Sequence, residues 1–201
     1  DMWILGEHRV LCGDATIKAD VDALMGGEKA DMVFTDPPYG IGYEYNSYKD
    51  KKGDEYLEFC DKWFDNIKTN KFIVITAGWK YNDYWINKKP RDMMYWLQRN
   101  KQTGGTLFHF RRIEPIFVWG NPETKYNFDF FEETSDRMDG LREKHTCPKP
   151  VGLLVEIISA SSKSVLDVFL GSGSTLIACE KTNRKCYGME IDPHYCDVIV
   201  K

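Results

Sequence analysis

The chain has 201 residues, enough for one well-packed domain and too few for two ordinary ones, and 42% of them are apolar. A net charge of −4 argues against a purely electrostatic nucleic-acid binder. The six cysteines, at 12, 60, 147, 179, 186 and 196, form no CxxC or Cys/His cluster at metal spacing, so no metal is expected; with no leader pattern and no apolar run long enough to span a membrane, the reading is a soluble cytoplasmic protein with reduced thiols.

The chain opens on Asp1 rather than Met and closes in a helical pattern, so a longer parent protein is expected. Val10-Leu11-Cys12 and Met32-Val33-Phe34 read as short buried strands. Residues 40–55, rich in Tyr, Lys, Asn and Gly, carry no period and read as a loop beside the site. Tyr56, Cys60, Trp63, Phe64 and Ile67 then fall on one helical face. Phe72 to Ile75 and Ile116 to Trp119 are further strands, with Met93 to Leu97 a weaker one. A second aperiodic segment, 121–148, is charged and aromatic and reads as a short target-recognition segment. Leu153, Leu154, Ile157 and Ile158 mark a helix, Val165 to Phe169 a strand, Ser174 to Lys181 a helix, Cys186 to Met189 a strand, and a last helix follows Pro193. Strands alternating with helices predict a single α/β domain over 1–201, a three-layer sandwich around a mostly parallel twisted sheet.

Basic residues cluster at Lys49, Lys51 and Lys52, at Lys88, Lys89 and Arg91, at Arg111 and Arg112, and at Arg142, Lys144 and Lys149. Each cluster suits a solvated surface or a phosphate backbone. Trp3, Trp63, Trp85 and Trp96 read as core, while Trp79 is open. His8 and His109 read as structural. Arg111, Arg112 and Glu114 suit either a DNA contact or a surface ion pair. Tyr43, Tyr45 and Tyr48, interleaved with lysines, suit DNA contact, a closing lid or local packing.

Two motifs carry chemistry. Val165 to Thr175 is an apolar strand, a Gly171-Ser172-Gly173 turn and a helix start, where Gly lets a ligand approach the backbone and Ser174 or Thr175 can cap the helix. No third glycine follows as in GxGxxG, and no GK[ST], which argues against a nicotinamide site and a P-loop. Glu190, about 20 residues on, ends the next strand where a ribose-binding carboxylate belongs, while Asp192 caps the helix opening at Pro193. Together these suggest a nucleoside cofactor without a diphosphate.

The second motif is Asp36-Pro37-Pro38-Tyr39 at the end of a buried strand. Its blander reading is a plain loop start. The chemical reading concerns an exocyclic amine on a base, a poor nucleophile because its lone pair is delocalised. The Asp36 carboxylate and the Pro37 carbonyl offer acceptors to such N–H groups, the prolines pre-set their geometry, and Tyr39 offers a ring for stacking.

Asp36-Pro37-Pro38-Tyr39 resembles the catalytic motif of amino-methylating DNA methyltransferases, and Asp167 to Gly173 resembles their cofactor loop. The order of the two is similar to the β-type circular permutation. His8 to Ala15 resembles the segment upstream in that subgroup, and His145 to Pro150 the segment before the cofactor loop, with Cys147-Pro148 in place of the usual pair. The resemblance implies a Rossmann-like fold and S-adenosylmethionine as cofactor. Asp167, Phe169, Gly171, Ser172, Gly173 and Ser174 would line the cofactor. Glu190 would take the ribose hydroxyls beside Ile191, Asp14 and Ala15 would sit near the adenine, and Lys149 near the carboxylate end. Asp36 would stand between cofactor and amine. The family flips its base out of double-stranded DNA and often forms homodimers. Asp at position 36 leans to adenine N6, by family analogy. Cytosine N4, an RNA or protein amine, or a silent DNA-binding subunit are the competing readings.

Overall fold

A computed structural model describes the fold of residues 1–43, 48–67, 71–99, 111–133, 149–161 and 163–201. Tyr45, His109, and the 134–148 part of the expected recognition segment, with Arg142, Lys144 and His145 to Pro148, lie outside the described residues.

In chain order the elements are β1 (Met2–Leu5), β2 (His8–Cys12), α1 (Lys18–Met25), β3 (Met32–Thr35), α2 (Asp54–Ile67), β4 (Phe72–Thr76), α3 (Asn82–Asn87), β5 (Asp92–Leu97), β6 (Ile113–Gly120), β7 (Phe130–Glu132), α4 (Val151–Ile158), β8 (Ser164–Asp167), α5 (Ser174–Lys181), β9 (Lys185–Glu190) and α6 (Pro193–Val200). All nine strands form one sheet in the order β1-β2-β9-β8-β3-β4-β6-β5-β7. The centre is parallel: β2 with β9, β9 with β8, β8 with β3, and β3 with β4. β6 runs antiparallel to both β4 and β5, and β1 antiparallel to β2.

The central strands are apolar through their middles because both faces are covered. In β4, Ile73 and Ile75 join a core with α1, α2 and α3, while Phe72 and Val74 join the other core with α4 and α5. Trp63 of α2 and Trp85 of α3 are fully buried, and their rings meet at 5.6 Å. The expected three-layer arrangement is therefore the observed one. α2 ends on its apolar face at Ile67, and α1 at Gly26, whose left-handed backbone (φ 57°) turns its N–H back to the Asp22 carbonyl.

Four elements were not expected from sequence. β1 is an edge strand with Met2 and Ile4 exposed, so apolar residues on both faces hide its alternation. α1 buries only Val21, Leu24 and Met25, and α3 only Trp85, too few to show a period. β7 is three residues within the aperiodic segment, with only Phe131 buried.

The site follows from the strand order. The chain leaves β3 through α2 toward β4, and leaves β8 through α5 toward β9, on the opposite side. β3 and β8 are neighbours, with Met32 opposite Val165 and Val33 opposite Leu166. Between their carboxyl ends the two connections diverge and leave a crevice.

Candidate functional site

A cavity of about 350 Å³ occupies this crevice, a size suited to a nucleoside-scale ligand. Its walls come from the turn after β3 (Asp36 to Tyr39), the turn after β8 (Val168 to Ser172), the end of β9 (Glu190 to Asp192) and the residues after β2 (Gly13 to Thr16). Ile41, Tyr43, Tyr48 and Lys51 of the 40–55 loop also face it.

The two motifs are joined by one hydrogen bond. Thr35, the last residue of β3, donates its hydroxyl to Asp167 Oδ1 at the end of β8, at 2.8 Å. The same carboxylate accepts from the Phe169 N–H at 3.0 Å and the Thr175 hydroxyl at 2.6 Å. Asp167 thus ties β3, the glycine turn and the first turn of α5 together. Its carboxyl is 2% exposed, and burial pushes its pKa up to about 6 despite the three donors.

Glu190 Oε2 accepts the Gly171 N–H at 2.8 Å, and its Oε1 accepts the Asp192 N–H at 2.9 Å. Burial pushes the Glu190 carboxyl up to about 7, the two backbone donors opposing the rise. Asp192 caps α6, accepting the His194 N–H at 2.9 Å, as its place before Pro193 suggested. The α5 cap differs from the expectation. Gly173, left-handed at φ 89°, occupies the N-cap, so Ser174 and Thr175 lie inside the helix and neither caps it. Gly173 also faces Ile199 of α6 rather than the cavity; a Cβ there would stand 3.2 Å from Cγ1 of Ile199. The other residues assigned to the cofactor — Asp14, Ala15, Asp36, Lys149, Asp167, Phe169, Gly171, Ser172, Ser174, Glu190 and Ile191 — all line the cavity.

Two buried polar atoms on this wall, Ser174 Oγ and Asp192 Oδ2, have no hydrogen-bond partner among the described residues. A buried polar atom without a partner is costly unless a ligand or water meets it. Together with the carboxylate of Glu190 and the apolar surface of Phe169 and Leu170, they fit a ligand that carries hydroxyls on an apolar body.

On the other wall, Asp36 is held by three donors. Thr76, at the end of β4, donates to Oδ1 at 2.5 Å, and the Tyr39 hydroxyl reaches the same oxygen at 2.8 Å. Lys149 Nζ donates to Oδ2 at 2.7 Å and to the Tyr39 oxygen at 2.7 Å. The Lys149 ammonium, expected near a cofactor carboxylate, is therefore paired with Asp36 in this structure. Tyr39 also contacts Glu114 Oε1 at 2.6 Å. Burial, then the charges of Asp36 and Glu114, hold the Tyr39 phenol well above its ordinary pKa. The Tyr39 ring packs on Gly78, where a Cβ would come within 2.9 Å of it.

Glu114 is the main residue the sequence reading misplaced. The sequence suits it to a DNA contact or a surface ion pair, yet it is 5% exposed. Gln98 donates to its Oε2 at 3.1 Å, and Lys149 stands 3.4 Å from its Oε1. The signal was a single acid within the apolar run Ile113 to Trp119, since a charge at an inward strand position needs a partner. Thr35 and Thr76, each ending a parallel strand, were missed in the same way.

The 40–55 loop is tied at its start. Asp50 accepts the N–H groups of Gly40, Ile41 and Gly42, and Lys80 donates to the Gly40 carbonyl. Trp63, Trp85 and Trp96 are core, and Trp3 is half-buried at the edge. Trp79 is 37% exposed, with the Arg111 guanidinium 5.0 Å above its ring. His8 is structural: its Nδ1 accepts the Cys186 N–H at 2.9 Å and its Nε2 meets Glu180 at 2.9 Å. Among the described residues no group of His, Cys, Asp and Glu is placed to hold a metal, and no helix is long and apolar enough to cross a membrane.

The comparisons with known proteins agree with this geometry. The family model described as DNA methylase, of the N6 and N4 type, matches residues 30–201. The Type II methyltransferase M.HpaI of Haemophilus parainfluenzae is 26% identical, over 96% of this chain and 73% of that protein. M2.DpnII of Streptococcus pneumoniae is 26% identical over 88% of this chain and 83% of its own length. Among solved structures, the M1.HpyAVI complex with S-adenosylmethionine superposes with a TM-score of 0.68 at 20% identity, covering 94% of this chain and 96% of that one. The cytosine-N4-specific PvuII DNA methyltransferase gives 0.74 at 15% identity, over 95% and 84%. At these identities the structures speak for the fold.

Proposed function

The chain belongs to the DNA methylase family, enzymes that methylate DNA at N6 or N4 amines with S-adenosylmethionine, and from that premise we propose that it acts on N6 of adenine, with Asp36 as the acceptor that orients the amine. The observation that carries the reading is the Asp36 turn, set beside the Asp167–Glu190 wall by adjacent parallel strands and linked to it through Thr35. Asp at position 36, in the resemblance noted above, favours adenine over cytosine.

S-adenosylmethionine, when bound, supplies an electrophilic methyl on a sulfonium. Glu190, with Ser174, Asp192 and the Asp14–Ala15 segment, would hold its hydroxylated and aromatic parts. Asp36 accepts one amine N–H and the Pro37 carbonyl the other, which favours a pyramidal nitrogen with a more available lone pair. Pro37 and Pro38 fix the backbone of that corner before substrate arrives, so little orientation entropy is lost at the reacting centre. The Tyr39 ring, packed on Gly78 and anchored by its hydroxyl, offers a stacking surface to a base flipped from the duplex. The proton the amine sheds leaves afterwards, with Asp36 the nearest carboxylate to receive it. Among the turns at this crevice, the Asp36 corner offers no thiol for covalent attack on the base, and direct transfer needs none.

The test is incubation with methyl-labelled cofactor and double-stranded DNA, then nucleoside analysis. N6-methyladenine is expected. Label in N4-methylcytosine would overturn the base assignment, and label in RNA or protein with none in DNA would overturn the substrate.

A further inference from the structure

Glu114 has no part in the chemistry just described, yet the protein buries its charge beside the reacting corner. It is the second residue of β6, which runs antiparallel to β4, so its start lies at the same sheet edge as the carboxyl end of β4. A carboxylate 5% exposed is expensive unless its charge and lone pairs are met. Gln98 donates to its Oε2 at 3.1 Å, and the groups that meet its Oε1 are the ones that also hold Asp36. The Tyr39 hydroxyl has one proton and stands 2.8 Å from Asp36 Oδ1 and 2.6 Å from Glu114 Oε1. The Lys149 ammonium stands 2.7 Å from Asp36 Oδ2 and 3.4 Å from Glu114 Oε1. Two carboxylates therefore divide one phenolic proton and one cation.

We propose that Glu114 is a positioning residue for Asp36, gripping the Tyr39 hydroxyl and drawing on the Lys149 ammonium so that the Asp36 carboxylate keeps its orientation and enough negative charge to accept the amine. The proposal rests on the role given to Asp36 above. Without Glu114, the ammonium falls wholly to Asp36 and weakens it as an acceptor. Without Lys149, two carboxylates crowd one hydroxyl and the pair takes up a proton at higher pH. Removing both restores the original charge balance. The charged and titratable groups facing Asp36 are Tyr39, Lys149, Glu114 and, across the Thr35 bridge, Asp167. Asp167 is unchanged in every variant.

The experiment is the pH profile of kcat/KM for Glu114→Gln, Lys149→Met and the double variant, with cofactor affinity measured by calorimetry. Lys149→Met is expected to move the acid limb up by about one pH unit or more. The double variant is expected to bring it back toward the parent. Glu114→Gln is expected to lower kcat about tenfold, with cofactor affinity unchanged, as for loss of one charged hydrogen-bond partner. If Lys149→Met does not fold, the acid limb of Glu114→Gln should lie below that of the double variant. Coincident limbs, or weakened cofactor binding in Lys149→Met with no rescue by Glu114→Gln, would overturn the proposal and return Lys149 to the cofactor carboxylate. Activity surviving in Asp36→Asn would instead sink the reading of Asp36 itself; an inactive Asp36→Asn beside flat Glu114 profiles sinks only the positioning role.

Discussion

At the end of β3, Asp36 meets an ammonium and two hydroxyls. At the ends of β8 and β9, Asp167 and Glu190 meet hydroxyls and backbone N–H groups, and burial pushes them up to about 6 and about 7. One wall of the cavity supplies its own cation, Lys149, while the carboxyls of the other meet neutral donors. Under the proposed function, the first wall aims an acceptor and the second is completed by a cationic nucleoside. The proposed function then predicts that turnover and cofactor affinity separate across the β3–β8 boundary.

The largest expected effect is on the first wall. Asp36→Asn keeps the shape and removes the charged acceptor, so kcat should drop roughly 10²–10⁴-fold, the range for loss of a positioned charged group. Calorimetry with S-adenosylmethionine should show nearly parental affinity, because the role proposed for Asp36 is toward the amine and the substitution keeps its shape. A parallel collapse of affinity would mean that the two walls are one site. Glu190→Gln should do the reverse: cofactor binding should weaken roughly 10–100-fold, the scale of a charged hydrogen bond, with kcat at saturating cofactor close to the parent. Full affinity in Glu190→Gln would remove the ribose role.

How much of this division was legible follows from how each residue earns its place. The Asp36 corner and the glycine turn were readable because their chemistry is local: two prolines fix one, two glycines bend the other, and each ends an apolar run. The parallel centre of the sheet was readable for the same reason, since strands buried on both faces are continuous in apolar residues. Glu114, Thr35 and Thr76 were not, because each acts across strands whose adjacency only the topology supplies. Sequence placed Glu114 by its basic neighbours Arg111 and Arg112, whereas its partners are Tyr39, Gln98 and Lys149. The different place of Gly173 was hidden for a subtler reason. A GxG turn looks symmetrical in sequence, but only Gly171 turns its N–H to Glu190, and Gly173 turns away to cap α5.

The raised acids predict a pH signature of the ligand-free protein. Between the unfolded values, near 4, and the folded values of about 6 and about 7, the native state holds more protons than the unfolded chain. Stability from these two groups is therefore greatest below about pH 4 and falls as pH rises through 7, by on the order of a few kcal/mol in all. Denaturant midpoints of the parent and of Asp167→Asn/Glu190→Gln, taken from pH 4.5 to 7.5, should differ by an amount that shifts in favour of the double variant as pH rises. Parallel curves would mean that neither carboxyl is as strongly desolvated as its burial indicates.

The smallest effect separates the two glycines. Gly173 sits at φ 89°, where an L side chain is strained, and an added Cβ would press on Ile199 at 3.2 Å. Gly173→Ala should cost roughly 1–2 kcal/mol of stability, the price of left-handed backbone for a residue with a Cβ, because the Ile199 side chain can yield by a few tenths of an ångström. Gly173 does not line the cavity, so the folded fraction should bind S-adenosylmethionine with parental affinity. Gly171→Ala is the contrast: its N–H holds Glu190 Oε2 at 2.8 Å and the residue lines the cavity, so the same substitution should weaken the cofactor as well as the fold. Measured by urea unfolding and calorimetry on both variants, equal losses of affinity would show that the turn acts as one unit, and that the wall of the cavity extends as far as α6.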